Sequence, residues 1–223
     1  MRLLLADHCQ LLNEDCATLR FLARGLLDAG HEVLCLTADR SGSSPMGLPT
    51  QHMICQEGAS FADFGLEAPN FEVADNGGLR FTHLSDFQIA QYREGWRQAI
   101  DRSTEDFNPD LIHCLHLWAP AHAALETGVP YVATVVGPEI FWAKNDPRYR
   151  RFVEQAAQNA GRILAVNNEA RQQLLAQFPD LDDRTLEMPV IAEPSDSGAI
   201  RKLLKIYAQV LNERRGGLQP SRN

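Results

Sequence analysis

Residues 109–137, PDLIHCLHLWAPAHAALETGVPYVATVVG, place a helical patch between two unbroken apolar runs. Leu111 and Ile112 open a run that ends at His113, His116 and Trp118, and Pro120 to Glu126 has a helical pattern. After Gly128 and Pro130, Tyr131 to Val136 is apolar again, up to Gly137 and Pro138. A strand with one wet face alternates apolar and polar residues. A strand covered on both faces reads as a continuous apolar run. The segment is therefore strand, helix, strand in a parallel sheet with helices above and below. Ligands bind such sheets at the carboxyl ends of the strands, so the polar residues at these two exits mark a candidate site.

The N-terminus repeats the pattern. Arg2 to Ala6 form a short strand. Leu19, Leu22, Ala23, Leu26 and Leu27 then fall on one helical face, with Asn13 or Asp15 placed to cap the start and Gly30 to end the helix. Val33 to Thr37 is the next strand. Residues 39–50 are rich in Ser, Gly and Pro and read as a loop. A short strand follows at His52 to Cys55. Phe71–Val73 and Leu79–His83 flank Asp75-Asn76-Gly77-Gly78, the signal of a small hairpin insertion. Helices are predicted over residues 85–105, 147–159 and 169–177, and strands over 163–166 and 185–188. The fold class is α/β: a Rossmann-like parallel sheet with helices on both faces, the small hairpin insertion, and a C-terminal amphipathic helix.

That last helix is set apart. Residues 1–190 make the main domain and 191–198 a linker with helix-start residues. Residues 199–215 carry the stripe Ile200, Leu203, Leu204, Tyr207, Val210 and Leu211, and 216–223 read as a disordered tail. A helix with such a stripe does not persist alone in water and needs a surface to cover it.

The chain of 223 residues holds 21 Lys and Arg against 29 Asp and Glu, a net charge of −8. Phosphate backbones are repelled by such a balance, so no nucleic-acid partner is expected. Five cysteines without a CxxC pair point to reduced thiols, not a disulfide frame or zinc site. No apolar run reaches the ~20 residues that span a bilayer, and the N-terminus lacks a secretory pattern. The expected location is the cytoplasm. Lys144, Arg148, Arg150 and Arg151 form a basic group that suits a solvated helix face, or a weak contact with the inner face of a membrane.

Several segments in order resemble the N-terminal domain of group 1 glycosyltransferases with the GT-B fold. They are GLLDAGHEVLCLT, FNPDLIHCLHLW, GVPYVATVVGPEIF and AGRILAVNNEARQQLL, and the resemblance covers residues 1 to about 190. It implies a domain that holds the acceptor and faces a second domain that holds a nucleotide sugar. IRKLLKIYAQVLNERR resembles the helix that returns from the second domain to pack on the first. Only a few residues separate Val190 from that helix, so the sequence has no room for a donor domain. The implied function is the acceptor-binding half of a nucleotide-sugar-dependent glycosyltransferase. No tightly bound cofactor is implied. The nucleotide sugar would be a co-substrate if a donor domain is supplied. The implied partners are a glycan or lipid-linked acceptor and a separate donor-domain chain or a second copy. The alternative is a non-catalytic module that kept the fold. Two departures favour it. The first loop, DHCQLLNED, lacks the family's Gly-Gly pair, and Val136 stands where the family often has His.

Glycosyl transfer needs an oriented acceptor hydroxyl and neutralised leaving phosphates. Hydrogen-bonding and aromatic groups for the first task cluster at strand exits: His113, His116, Trp118, Gly137, Glu139, Trp142 and Asn168. In the first loop, Asp7, His8 and Asn13 are the candidates. Each has a plainer reading: a structural His at a strand end, Trp118 and Trp142 as core or wall, Glu139 as a helix cap. His113, His116 and His122 invite a metal, but no carboxylate or thiolate is placed in the sequence to complete a set, and no metal is expected.

Overall fold

A computed structural model describes residues 1–8, 17–39, 48–54, 80–189 and 197–217. Seven strands make one sheet: β1 (Arg2–Asp7), β2 (Glu32–Asp39), β3 (Thr50–Ile54), β4 (Leu111–Cys114), β5 (Tyr131–Val135), β6 (Arg162–Ala165) and β7 (Thr185–Glu187). Their order is β3-β2-β1-β4-β5-β6-β7. Every pairing is parallel, for example Leu5 beside Cys35 on one side and beside His113 on the other. The α/β expectation holds. The apolar runs are continuous because β1, β4, β5 and β6 bury residues toward both faces.

Among the described residues the α-helices between the strands are α1 (Ala17–Asp28), α2 (Asp86–Phe107), α3 (Pro120–Thr127), α4 (Pro138–Asn145), α5 (Pro147–Asn159) and α6 (Asn168–Gln177), and α7 (Ser197–Gly217) follows the last strand. Strand alternation sorts the core into two layers. Leu4, Ala6, Ile112 and Ala133 pack against α2, α3 and α5. Leu3, Leu5, Leu111, Val132 and Leu164 pack against α1 and α7. Local chemistry sets the helix ends. Ser85 and Gln88 form a reciprocal capping box at α2. Asp146 caps α5 with Pro147 in its first turn. Gly30 closes α1 at φ 82°, with Gly30 N–H bonded to Leu27 and His31 N–H to Leu26 carbonyls, the paired bonds of a left-handed helix stop.

The C-terminal helix lies against the sheet. Ile200, Leu203, Tyr207 and Val210 are buried, while Leu204 and Leu211 pack at the margin. Backbones come close here: a Cβ built on Gly161 would lie 2.5 Å from Val210 Cγ1. Arg162, at the start of β6, holds Glu213 by both its terminal nitrogens. α7 begins at Ser197 and ends at Gly217, longer at both ends than its apolar stripe predicts.

Two local expectations are corrected. Phe81–His83, predicted as the second hairpin strand, is a single 3-10 turn that buries Phe81 against Tyr92, Trp118 and Tyr149. Glu139 and Trp142, expected at a strand exit, lie on helix α4, which is not among the helices predicted from the sequence. The hairpin turn at 75–78, the helix-capping candidates Asn13 and Asp15, residues 191–196 of the linker and the tail from 218 lie outside the described residues.

One backbone position is strained. Ala119, between the exit of β4 and α3, has φ 53° and ψ −71°. A Cβ disfavours that conformation by about 1–3 kcal/mol, and Pro120 restricts the residue further. Ala119→Gly is expected to stabilise the chain by about 1 kcal/mol, read as a higher urea midpoint at unchanged slope.

Candidate functional site

The sheet order reverses between β1 and β4: β2 and β3 extend from β1 one way, and β5, β6 and β7 extend from β4 the other. Open parallel sheets bind ligands at the carboxyl side of such a reversal. β1 ends there at Asp7, followed by His8. Past β4, the Leu115 N–H bonds to the Ala6 carbonyl at 2.9 Å, which steers the chain over the end of β1 and sets His116 above Asp7. His116 Nε2 is 3.7 Å from Asp7 Oδ1, and His8 Nδ1 is 3.5 Å from the same oxygen. The two imidazoles meet edge to face with centroids 4.2 Å apart. On the far side, His116 Nδ1 lies 3.8 Å from Glu139 Oε1. Glu139 sits in the first turn of α4 and accepts from the backbone N–H groups of Val136 at 2.9 Å and Gly137 at 3.1 Å. Gly137 takes φ 123°, open essentially to glycine alone, so that β5 can turn into α4.

All four side chains are buried: Asp7, His8, His116 and Glu139 are 4, 7, 8 and 1% exposed. Burial disfavours charge on His116, but the adjacent Glu139 carboxylate, with Asp7 behind, outweighs it and raises its pKa. Burial likewise works against the Glu139 carboxylate, and His116 and the Val136 amide more than restore it, so its pKa falls. Each partner thus favours the charged form of the other. His8 is driven the other way, by burial and then by the charge of His116, and is neutral. Two imidazoles pushed in opposite directions thus share Asp7, an arrangement able to hold a hydroxyl and to take or return a proton.

The remaining candidates fall elsewhere. His113, fully buried, faces the opposite layer. Its Nδ1 is 2.6 Å from Tyr207 Oη and its Nε2 is 2.8 Å from Thr134 Oγ1. It ties α7 to the sheet. Trp118 is core, packed edge to face on Phe81 and Tyr149. Trp142 is half-buried on α4 beside Phe141, an exposed ring. Asn168 is exposed in the first turn of α6, and its neighbour Asn167 caps that helix. Asn13 lies outside the described residues. His122 is apart from the cluster, near Arg93 and Gln155. In the basic group, Arg148 is spoken for by Asp146 and Asp86, while Lys144, Arg150 and Arg151 are exposed. The sequence reading missed Tyr207 and Thr134 as partners of His113. It also found no carboxylate for the histidines, and the structure supplies Asp7.

The glycosyl transferase 4-like domain matches residues 17–186, most of the chain. The chain belongs to that family. No curated protein matches this glycosyl transferase 4-like sequence. Solved structures share its fold. Sucrose-phosphate synthase from Thermosynechococcus elongatus superposes with a TM-score of 0.54 at 13% identity, over 85% of this chain and 48% of its own. UDP-GlcNAc 2-epimerase from Neisseria meningitidis, bound to UDP-GlcNAc, gives 0.53 at 9% identity, over 99% and 54%. UDP-N-acetylglucosamine 2-epimerase from Rickettsia bellii gives 0.51 at 12%, over 92% and 48%. This glycosyl transferase 4-like chain therefore spans about half the length of these proteins. Among its described residues no helix is long and apolar enough to cross a membrane.

Proposed function

We propose that this chain is the acceptor-binding half of a nucleotide-sugar-dependent glycosyltransferase. The observation that supports it most is the buried Asp7, His8, His116 and Glu139 cluster at the carboxyl edge of the sheet, where the strand order reverses. Family membership and coverage of half of two-fold longer neighbours agree with a one-lobe role. In this reading Asp7 and His8 fix an acceptor hydroxyl. His116, held by Glu139, passes through its neutral form to take the hydroxyl proton as the new glycosidic bond forms and the nucleoside diphosphate departs. The acceptor is a glycan or a lipid-linked sugar. The donor sugar comes on a separate chain's donor domain or across a homodimer. Lys144, Arg150 and Arg151 are the exposed cations that a weak contact with an anionic inner membrane face would use.

Saturation-transfer NMR on the purified chain tests the reading. Glycan acceptors should show transfer and nucleotide sugars none, and His116→Ala and Glu139→Gln should each weaken acceptor binding about tenfold or more. Tight nucleotide-sugar binding by the chain alone would overturn the one-lobe reading. A second reading, a non-catalytic binding module, rests on Val136. It stands 37% exposed at the β5 exit, and its side chain can neither donate a hydrogen bond nor relay a proton. Acceptor binding unaffected by His116→Ala would favour that module.

A further inference from the structure

We propose that Asp7, His8 and His116 bind a zinc ion. The three residues come from two adjacent strand ends, and one ligand atom from each lies within 4.8 Å of the others. Asp7 Oδ1 stands 3.5 Å from His8 Nδ1 and 3.7 Å from His116 Nε2. Zinc bonds of about 2.0–2.1 Å at tetrahedral angles put ligand atoms about 3.4 Å apart, so both edges are already near their bound length. Two imidazoles and one carboxylate suit zinc better than calcium or magnesium, which take oxygen donors.

The surroundings match what such a site requires. His116 offers Nε2 to the ion because its Nδ1 faces Glu139 at 3.8 Å. A ligand histidine normally gives its second ring N–H to a carboxylate or carbonyl, which fixes the tautomer and the ring plane. Glu139 is in turn fixed by the Val136 and Gly137 amides, so the orienting layer is itself anchored to the β5–α4 turn. All four residues are buried, none more than 8% exposed. A divalent ion there would balance two carboxylates placed on either side of one imidazole. Three protein ligands leave a fourth position for water or a hydroxyl. The site uses the same three residues as the acceptor reading, and with zinc bound the open fourth position, not His116, would receive the acceptor hydroxyl; zinc binding without acceptor binding would leave the metal site standing, and acceptor binding without zinc would leave only the acceptor reading.

Zinc titration of the full chain, by calorimetry and by competition with a chromogenic chelator, is the test, with cobalt as a spectroscopic stand-in. The expected result is one equivalent bound, a cobalt spectrum of a nitrogen and oxygen site, and a rise in melting temperature with zinc. Asp7→Asn, nearly isosteric, and His116→Ala should each weaken binding about 100-fold, and Glu139→Gln about 10-fold. His122→Ala, outside the cluster, should bind as the parent does. Circular dichroism identifies any variant that fails to fold, and Asp7→Asn then decides. A thiolate-to-metal charge-transfer band, affinity unchanged in Asp7→Asn, or no binding at all would overturn the site.

Discussion

Leu203→Asp is expected to leave the chain without a cooperative unfolding transition near room temperature. Leu203 is 0% exposed, between Ile200 and Tyr207 on the buried face of α7. Removing its side chain from the core forfeits about 2–3 kcal/mol of burial, and the aspartate adds an unpaired charge in an apolar layer that costs several more. Together these approach the whole stability of an ordinary domain, about 5–15 kcal/mol. The loss reaches beyond one helix, because α7 covers Leu3, Leu5, Leu111 and Val132 of the central strands. Lys205→Asp, on the exposed side of the same helix, should shift stability by no more than about 0.5 kcal/mol. Calorimetry on both variants separates docking from helix propensity. A Leu203→Asp chain that melts like the parent would show that α7 does not hold the sheet.

The second large effect is a loss of stability in acid that belongs to His113. Its contacts define the tautomer: Thr134 donates its hydroxyl to Met188 Sδ, so Nε2–H donates to Thr134, and Tyr207 donates to Nδ1. A second proton would force the Tyr207 hydroxyl to turn from donor to acceptor and would put a charge in a fully buried layer. Burial accordingly lowers the His113 pKa from its ordinary 6.5 to about 3. The unfolded chain takes up that proton near pH 6.5 and the folded chain does not, so the unfolded state binds more protons between these values and stability falls as pH falls. The contribution is full above pH 6.5 and is lost progressively down to about pH 3, up to roughly 4–5 kcal/mol at the bottom of the range. Urea unfolding from pH 7 to pH 4 should show a steeper decline for the parent than for His113→Gln. Parallel curves for the two would mean that this imidazole does not govern acid sensitivity.

His113 also shows where sequence reading stops. The strands were legible because burial on both faces writes itself as unbroken apolar runs, and the exits of β1, β4 and β5 pointed to Asp7, His116 and Glu139. His113 stands two residues after Leu111 and therefore faces the same layer. Which element fills that layer was not legible, because Tyr207 is 94 positions away. For Trp118 the sequence left core and strand-exit readings open, because its partners Phe81 and Tyr149 are far from it along the chain. α4 was missed because its eight residues bury only Glu139, Ile140 and Ala143, too few to write a periodic stripe. Burial of a glutamate at a helix start is readable only once the Val136 and Gly137 amides are seen to meet it.

The clasp between β4 and α7 also sets a timetable for synthesis. During translation the α1 side of the sheet lacks its α7 cover until the segment carrying Leu203 and Tyr207 has left the ribosome. Until then Leu111, Val132 and Leu164 present bare hydrocarbon to the cell, and a nascent chain paused before this helix is the form most exposed to chaperones and to self-association.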